Sequence, residues 1–191
     1  MGDCVPFSSG SNSHTATGGE GSASGQTGIG WRDAPLRRAR VLLVDDSRHD
    51  ILLAKHYLIE SGGFDCELLT AASANQAMET LLRANADGRP IDLILLDINM
   101  PGDGGFALLT RIRDHPVLRK IQVIMCTGSS LDLDRRRARH LGIVGYVVKP
   151  PSPEKLRDIV KSLPVFEVEE DGGGARLMTC LLYTSPSPRD S

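Results

Sequence analysis

Five short apolar runs, separated by helical patterns, constrain the fold of this chain more than any other feature. They are rich in Val, Ile and Leu and comprise residues 40–46, 66–71, 91–97, 121–127 and 143–149. Short continuous apolar runs of this kind are typical of strands that are covered on both faces. Because right-handed crossovers place helices on both sides of such a sheet, the pattern predicts an α/β fold with a five-stranded, doubly wound parallel sheet.

Three serines mark the starts of predicted helices. Ser47 has an aspartate three residues later, Ser73 has a glutamine at the same spacing, and Ser152 is followed by a proline. A serine oxygen can accept a hydrogen bond from the first helical turn, and proline suits the first helical position. These signals predict helices after the first, second and fifth runs.

Polar side chains stand at the ends of four of the predicted strands. The first run ends on Asp45 and Asp46, the third on Asp97, the fourth on Thr127 and the fifth on Lys149. Ligands of doubly wound sheets bind beyond the carboxyl ends of the strands, so we expect these side chains to meet at one edge. Three neighbouring carboxylates repel one another unless a cation is present, and hard divalent ions take oxygen ligands. The pattern predicts a Mg²⁺ site beside a carboxylate that accepts a phosphoryl group, with a lysine and a threonine to contact the phosphoryl oxygens.

Each of these residues has an ordinary structural explanation when it is taken alone. An aspartate at a strand end can cap the next helix, a threonine suits β-structure, and a lysine can be a solvated loop residue. Their occurrence together at successive strand ends favours the functional interpretation.

Four segments of the core carry a resemblance to a known family. They read LLVDDS, LILLDINMPG, IMCTGS and YVVKPPSPEKL, and the similarity extends from Arg40 to about Leu163. This part of the chain resembles the receiver domain of two-component response regulators, in the CheY-like superfamily, and looks most like the single-domain members. The resemblance implies a flavodoxin-like (βα)5 fold with the strand order 2-1-3-4-5.

The resemblance also implies a role for each residue at the strand ends. Asp97 would accept the phosphoryl group, and Tyr146 would be an aromatic switch residue that follows Thr127. The implied ligands of Mg²⁺, with Mn²⁺ as a substitute, are Asp45, Asp46, Asp97 and the backbone carbonyl of Asn99. The implied phosphoryl-contacting and switch residues are Thr127, Lys149 and Tyr146, and Pro150 would follow a cis peptide bond.

A protein of this family would act as a signalling switch and not as an enzyme, apart from hydrolysing its own phosphoryl group. The donor would be a histidine kinase or a phosphotransfer protein. Phosphorylation would change the surface of the fourth helix, fifth strand and fifth helix for a downstream protein partner or for a homodimer. The predicted fourth helix carries a basic cluster made of Arg135, Arg136, Arg137, Arg139 and His140.

Three alternatives stay open at this point. Phosphatases that form an aspartyl phosphate place a second aspartate two residues after the nucleophile, where this chain has Asn99. A receiver-like domain that only binds proteins is a second alternative, although every site position matches the family. The receiver could also control an effector domain that was lost beyond Leu163.

The loop after Asp97 departs from the usual family pattern. Met100, Pro101 and Gly105 match it, but glycine takes the usual aspartate position and Asp103 comes one residue early. We therefore expect Asp103 to cap the third helix.

The composition divides the chain into four parts. Residues 1–38 are a Gly/Ser/Thr-rich segment and linker, for which we predict disorder, and residues 39–164 are the receiver domain. Residues 165–178 read as an acidic, glycine-rich tail. Residues 179–191 read as the conceptual translation of a sequencing adapter, which would carry no function.

The charge balance, the cysteines and the lengths of the apolar runs each argue against one class of protein. Lys and Arg number 22 against 24 Asp and Glu, so the chain lacks the positive excess of a nucleic-acid-binding protein. The four cysteines have no zinc-site spacing and follow no secretory signal, which predicts reduced thiols. No apolar run approaches the ~18–20 residues needed to cross a bilayer. We therefore expect a cytoplasmic protein with no nucleic-acid or membrane partner.

Overall fold

The computed structural model describes residues 36–101, 104–128, 136, 138–172 and 174–180. The strands are β1 (Leu36–Arg38), β2 (Arg40–Val44), β3 (Phe64–Asp65), β4 (Glu67–Ala71), β5 (Leu93–Asp97), β6 (Gln122–Thr127), β7 (Gly145–Val148), β8 (Phe166–Asp171) and β9 (Gly174–Cys180). The helices are α1 (Arg48–Lys55), which continues into a π-helical turn (His56–Glu60), α2 (Ala74–Ala86), α3 (Gly104–Asp114) and α4 (Pro153–Lys161).

A five-stranded parallel sheet forms the centre of the molecule. Its strands lie in the order β4-β2-β5-β6-β7, which is 2-1-3-4-5 when the five are counted along the chain. This confirms the predicted α/β fold and strand order. The carboxyl ends of β2, β5, β6 and β7 therefore lie at one edge of the sheet, where the predicted site residues stand.

Each face of the central sheet is covered by its own apolar core. Leu42 and Ile94 point into the core that contains α2 and α3, whereas Leu43 and Leu95 point into the core that contains α1 and α4. All four side chains are buried. Because successive strand residues point to opposite faces, burial on both faces explains why the strands read as continuous apolar runs.

The predicted serine caps are present at three helix starts. The Ser47 and Ser73 hydroxyl oxygens each accept a hydrogen bond at 3.2 Å from the backbone N–H three residues later. Ser152 accepts the equivalent bond at 3.4 Å, and a proline lies in the first turn of the helix that follows it. These bonds satisfy N–H groups that have no partner inside the helix, so the caps define where α1, α2 and α4 begin.

A second, smaller sheet has three of its four strands outside the predicted receiver boundaries. The strand β9 pairs antiparallel with β1 and β8 and parallel with β3. Segment 165–178, expected as an acidic tail, thus forms most of a hairpin, and Leu36–Arg38 of the segment predicted to be disordered forms an edge strand. Residues 1–35 and 181–191 lie outside the described residues, so the expectations for them stay predictions.

Alternating side chains hold the hairpin against the rest of the protein. Phe166, Ala175 and Leu177 are buried and join the core beneath α1 and α4. Thr179 is also buried, and its hydroxyl donates a hydrogen bond to the Val165 carbonyl at 3.1 Å. The period-two alternation of apolar and charged residues in 166–169 was the sequence signal for this strand, and the acidity of the segment concealed it.

A buried carboxylate joins the second sheet to the first. Asp92, just before β5, accepts hydrogen bonds from both terminal nitrogens of the Arg37 guanidinium, at 2.8 and 2.7 Å. It also accepts the Arg40 backbone N–H at 2.8 Å. The bidentate geometry is the strong form of an arginine–carboxylate pair.

Replacing Asp92 with alanine is expected to lower the free energy of unfolding by about 2–3 kcal/mol, since it leaves the buried Arg40 N–H without its acceptor and removes the ion pair. Urea denaturation followed by circular dichroism measures this change. Asp158→Ala is the matched control, because that residue is exposed on α4. Equal losses in the two variants would contradict the structural role of Asp92.

Within the described residues, no helix is both long enough and apolar enough to cross a membrane.

Candidate functional site

Three carboxylates converge at the carboxyl edge of the central sheet. Asp45 and Asp46 directly follow β2, and Asp97 is the last residue of the adjacent strand β5. Asp45 and Asp97 are each 2% exposed, whereas Asp46 faces solvent. One carboxylate oxygen from each residue lies within 4.8 Å of the other two. The expected meeting of these side chains is therefore present in the structure.

The Lys149 ammonium group lies among carboxylates. It follows β7, and its Nζ is 2.6 Å from Asp45 Oδ2 and 2.9 Å from both Asp97 Oδ2 and Asp50 Oδ2. Its backbone N–H donates to the Thr127 carbonyl at 2.8 Å, which fixes the end of β7 against β6. The peptide bond between Lys149 and Pro150 is cis.

The protonation of this cluster follows from burial and from its hydrogen bonds. Burial raises the pKa of Asp45, and this outweighs the lowering by hydrogen bonds from Lys149 and from the Ser47 N–H. Burial by itself would lower the pKa of Lys149, but hydrogen bonds to Asp45, Asp50 and Asp97 raise it overall. Lys149 therefore carries its positive charge at neutral pH.

The donor set of the cluster fits a hard divalent cation. Several carboxylates face a single ammonium group, so the site carries an excess of negative charge when the acids are ionised. Carboxylate oxygens are also the protein ligands that Mg²⁺ prefers. Asn99 is exposed beside the cluster, and its N–H donates to Asp97 Oδ1 at 3.2 Å. That bond holds the residue whose carbonyl is the predicted fourth ligand next to the acids.

The two predicted switch residues lie on neighbouring strands. Thr127 ends β6 and is 1% exposed. Tyr146 lies on β7 opposite Met125, is partly buried, and packs against the core that contains α2 and α3. The structure thus places the hydroxyl at the acidic edge and the aromatic ring two residues back along the paired strands.

Part of the predicted basic cluster can be described. Arg136, Arg139 and His140 are exposed. Arg135 and Arg137 lie outside the described residues, as does Asp103, the predicted cap of α3. The proposal that this helix forms an output surface therefore stays a prediction.

Asp50 is a site residue that sequence reasoning missed. The sequence assigned it only to the first turn of α1, yet its carboxylate bonds Lys149 across 99 positions of the chain. No local pattern relates the two, because their contact depends on where the folded chain places the start of α1 relative to the end of β7.

Gly105 allows α3 to approach the acidic strand. A Cβ atom added to this residue would lie 2.0 Å from the backbone oxygen of Asp97 and 2.9 Å from the Ile98 Cα. The Gly105 N–H donates to the Ile98 carbonyl at 3.1 Å. The glycine is therefore required by close backbone contact.

Comparison with known sequences identifies relatives of the chain. The family model described as "Response regulator receiver domain" matches residues 41–161. The transcriptional regulatory protein AruR of Pseudomonas aeruginosa is 36% identical over 124 residues, covering 65% of this chain and 48% of AruR. The chain therefore spans about half the length of this relative.

Solved structures are similar over the same region. The bacteriophytochrome response regulator AtBRR has a TM-score of 0.62 and 27% identity, covering 71% of this chain and 99% of AtBRR. The phosphorylated cyanobacterial phytochrome response regulator RcpA has a TM-score of 0.53 and 29% identity, covering 66% of this chain and 91% of RcpA.

Proposed function

Because the chain belongs to the response regulator receiver domain family, we propose that it is a phosphorylation-activated signalling switch whose acceptor is Asp97. One observation carries the assignment: Asp97 is buried at the strand edge with a carboxylate oxygen 2.9 Å from Lys149, inside the acidic cluster. A carboxylate held in this way is shielded from bulk water and faces a charge that can stabilise a phosphoryl group.

The proposed reaction is transfer of a phosphoryl group from a histidine kinase or a phosphotransfer protein. A carboxylate oxygen of Asp97 forms a bond to phosphorus, and the phosphorus–nitrogen bond of the donor phosphohistidine breaks. The released imidazole nitrogen keeps the bonding electrons and takes up a proton. Water later cleaves the acyl phosphate, which regenerates the carboxylate and releases inorganic phosphate. In this proposal the chain transfers no group to a separate substrate and is not an enzyme.

Asp45, Asp46, Asp97 and the carbonyl of Asn99 would hold the divalent cation. Bound Mg²⁺, or Mn²⁺ in its place, supplies positive charge that offsets the charge of the phosphoryl oxygens. The arrangement of the three acids, with Asp46 open to solvent and the other two buried, supports this proposal.

The residues around Asp97 give the site its response to phosphorylation. Lys149 is already within bonding distance of Asp97 and would pair with a phosphoryl oxygen, while Thr127 would offer its hydroxyl as a donor. Movement of Thr127 and Tyr146 toward the phosphoryl group would shift the population toward a state with a changed surface, formed by the predicted helix that carries the basic cluster, by β7 and by α4. That surface would bind a downstream protein or a second copy of the chain.

A receiver that controls an effector region is the second candidate. The coverage of AruR supports it, because the similar segment makes up 48% of a protein whose name describes transcriptional regulation.

In either case we propose that the receiver works in the cytoplasm, where its free Cys66 and Cys126 would stay reduced.

The dependence on the divalent cation tests the proposed chemistry. The protein is incubated with acetyl phosphate in Mg²⁺ or in excess EDTA, and intact mass reports the phosphorylated fraction over time. We expect EDTA to slow phosphorylation by about a hundredfold, since the acidic cluster would repel the donor without a cation. Equal rates in Mg²⁺ and EDTA would contradict the metal assignment.

The same samples distinguish the alternatives. A wild-type protein that gains no phosphoryl group in Mg²⁺ would contradict the switch and favour a domain that only binds proteins. Steady release of phosphate from an unrelated monoester such as p-nitrophenyl phosphate would favour the phosphatase.

A further inference from the structure

Lys149 has a third carboxylate partner besides Asp45 and Asp97. The Asp50 Oδ2 atom lies 2.9 Å from Lys149 Nζ, the same distance as the Asp97 oxygen. The Lys149 side chain is 16% exposed and that of Asp50 is 34% exposed, so the pair lies at the mouth of the site. The ammonium group is thus shared between the predicted acceptor and a residue on α1.

The position of Asp50 is held by α1. It is the third residue of the helix, and its backbone N–H donates to the Ser47 hydroxyl that caps the helix. A carboxylate in the first turn is also favoured by the unpaired N–H groups of the helix end. Asp50 therefore has reasons to stay in place that do not depend on Lys149.

Open space lies on the Asp50 side of the ammonium group. A cavity of about 170 Å³ is lined by Asp50, Lys149 and seven further residues, most of them apolar, and Asp97 is not among its lining residues. Both side chains of the Lys149–Asp50 pair therefore border open space.

We propose that Asp50 is a positioning residue that competes with the acceptor for Lys149 and thereby limits the affinity of the site for a phosphoryl group. This inference rests on the proposed function of Asp97. The positive charge of Lys149 would stabilise the oxygens of a bound phosphoryl group. The charge-assisted hydrogen bond between Lys149 and Asp50 competes with that interaction and weakens it. The Asp50 carboxylate would also repel the phosphoryl oxygens directly, because Asp50 and Asp97 are both paired with Lys149 Nζ and so lie close together.

Beryllofluoride, a mimic of the phosphoryl group, measures this affinity without hydrolysis. Its binding in the presence of Mg²⁺ is titrated by calorimetry for wild type, Asp50→Asn and Asp50→Glu. We expect Asp50→Asn to bind roughly tenfold more tightly than wild type, because a nearby negative charge is removed while the side chain keeps its shape. Asp50→Glu keeps the charge and is expected to remain within about threefold of wild type.

Glu60→Gln is the matched control. It removes one negative charge from the π-helical turn that continues α1, where Glu60 is exposed and pairs with His56. Its affinity for beryllofluoride should equal that of wild type. Urea denaturation shows whether each variant is folded.

A second measurement requires no metal and no phosphoryl mimic. The ¹⁵N resonance of the Lys149 ammonium group should shift in Asp50→Asn and stay unchanged in Glu60→Gln, because only the first variant alters its hydrogen bonds.

Three results separate failure of this inference from failure of the proposed function. A wild-type protein that does not bind beryllofluoride in Mg²⁺ would overturn the proposed acceptor site. Wild-type binding with an unchanged or weaker affinity in Asp50→Asn would overturn the role of Asp50 alone. Equal tightening by Asp50→Asn and Asp50→Glu would also overturn it, because charge would then not be the cause.

Discussion

Replacing Asp97 with asparagine is expected to reduce phosphorylation by acetyl phosphate at least a hundredfold. The amide keeps the size of the side chain but removes the charged oxygen that would attack phosphorus. It also removes a charged partner of Lys149, whose Nζ lies 2.9 Å from Asp97 Oδ2. Intact mass after incubation in Mg²⁺ measures the effect, and peptide mapping of the wild-type protein identifies the modified residue.

Asp87→Asn is the control for this experiment. Asp87 is exposed at the end of α2, so this variant changes the net charge equally without touching the acidic cluster. It should be phosphorylated at the wild-type rate. Phosphorylation of Asp97→Asn at that same rate would remove Asp97 from the acceptor role.

Replacing Gly105 with alanine is expected to destabilise the protein by about 3 kcal/mol or more. The added Cβ would lie 2.0 Å from the Asp97 carbonyl oxygen, and both neighbours that it meets are backbone atoms. Backbone cannot rotate away as a side chain does, so α3 must move relative to β5. Urea denaturation measures the loss, and phosphorylation of the folded fraction should fall with it because Asp97 is displaced.

Gly128→Ala is the matched control for the glycine. A Cβ at that position has no heavy atom within 4 Å, and the residue does not have a positive φ angle. The substitution should leave the free energy of unfolding unchanged or raise it by about 0.4–1 kcal/mol, because alanine lowers the conformational entropy of the unfolded chain. A Gly105→Ala protein as stable as Gly128→Ala would show that α3 does not pack as closely on β5 as described.

Local patterns in the sequence were enough to predict the central fold. Continuous apolar runs identified the strands of the five-stranded sheet, and Ser47, Ser73 and Ser152 identified three helix starts. These signals are readable because strand burial and helix capping depend on residues that are close along the chain. The meeting of Asp45, Asp46 and Asp97 also followed, since parallel strands deliver their carboxyl ends to the same edge.

The second sheet could not be derived in the same way. The strand β3 has only two residues, and β9 pairs with β1, which lies at the opposite end of the described chain. Pairing between strands that are so far apart along the chain cannot be read from the residues next to either strand. The acidic residues on β8 also obscured the alternation of apolar and charged residues in that strand. The Arg37–Asp92 pair that joins the two sheets depends on the same long-range packing.

The sequence by itself determined which residue types stand at the strand ends, and it therefore determined the fold class and the acids of the candidate site. Only the tertiary structure decided that Asp50 shares the Lys149 ammonium group and that Gly105 lies against the Asp97 backbone. The physical reason is that strand ends are set by local periodicity, whereas these two contacts depend on the distances at which α1 and α3 pack against the edge of the sheet.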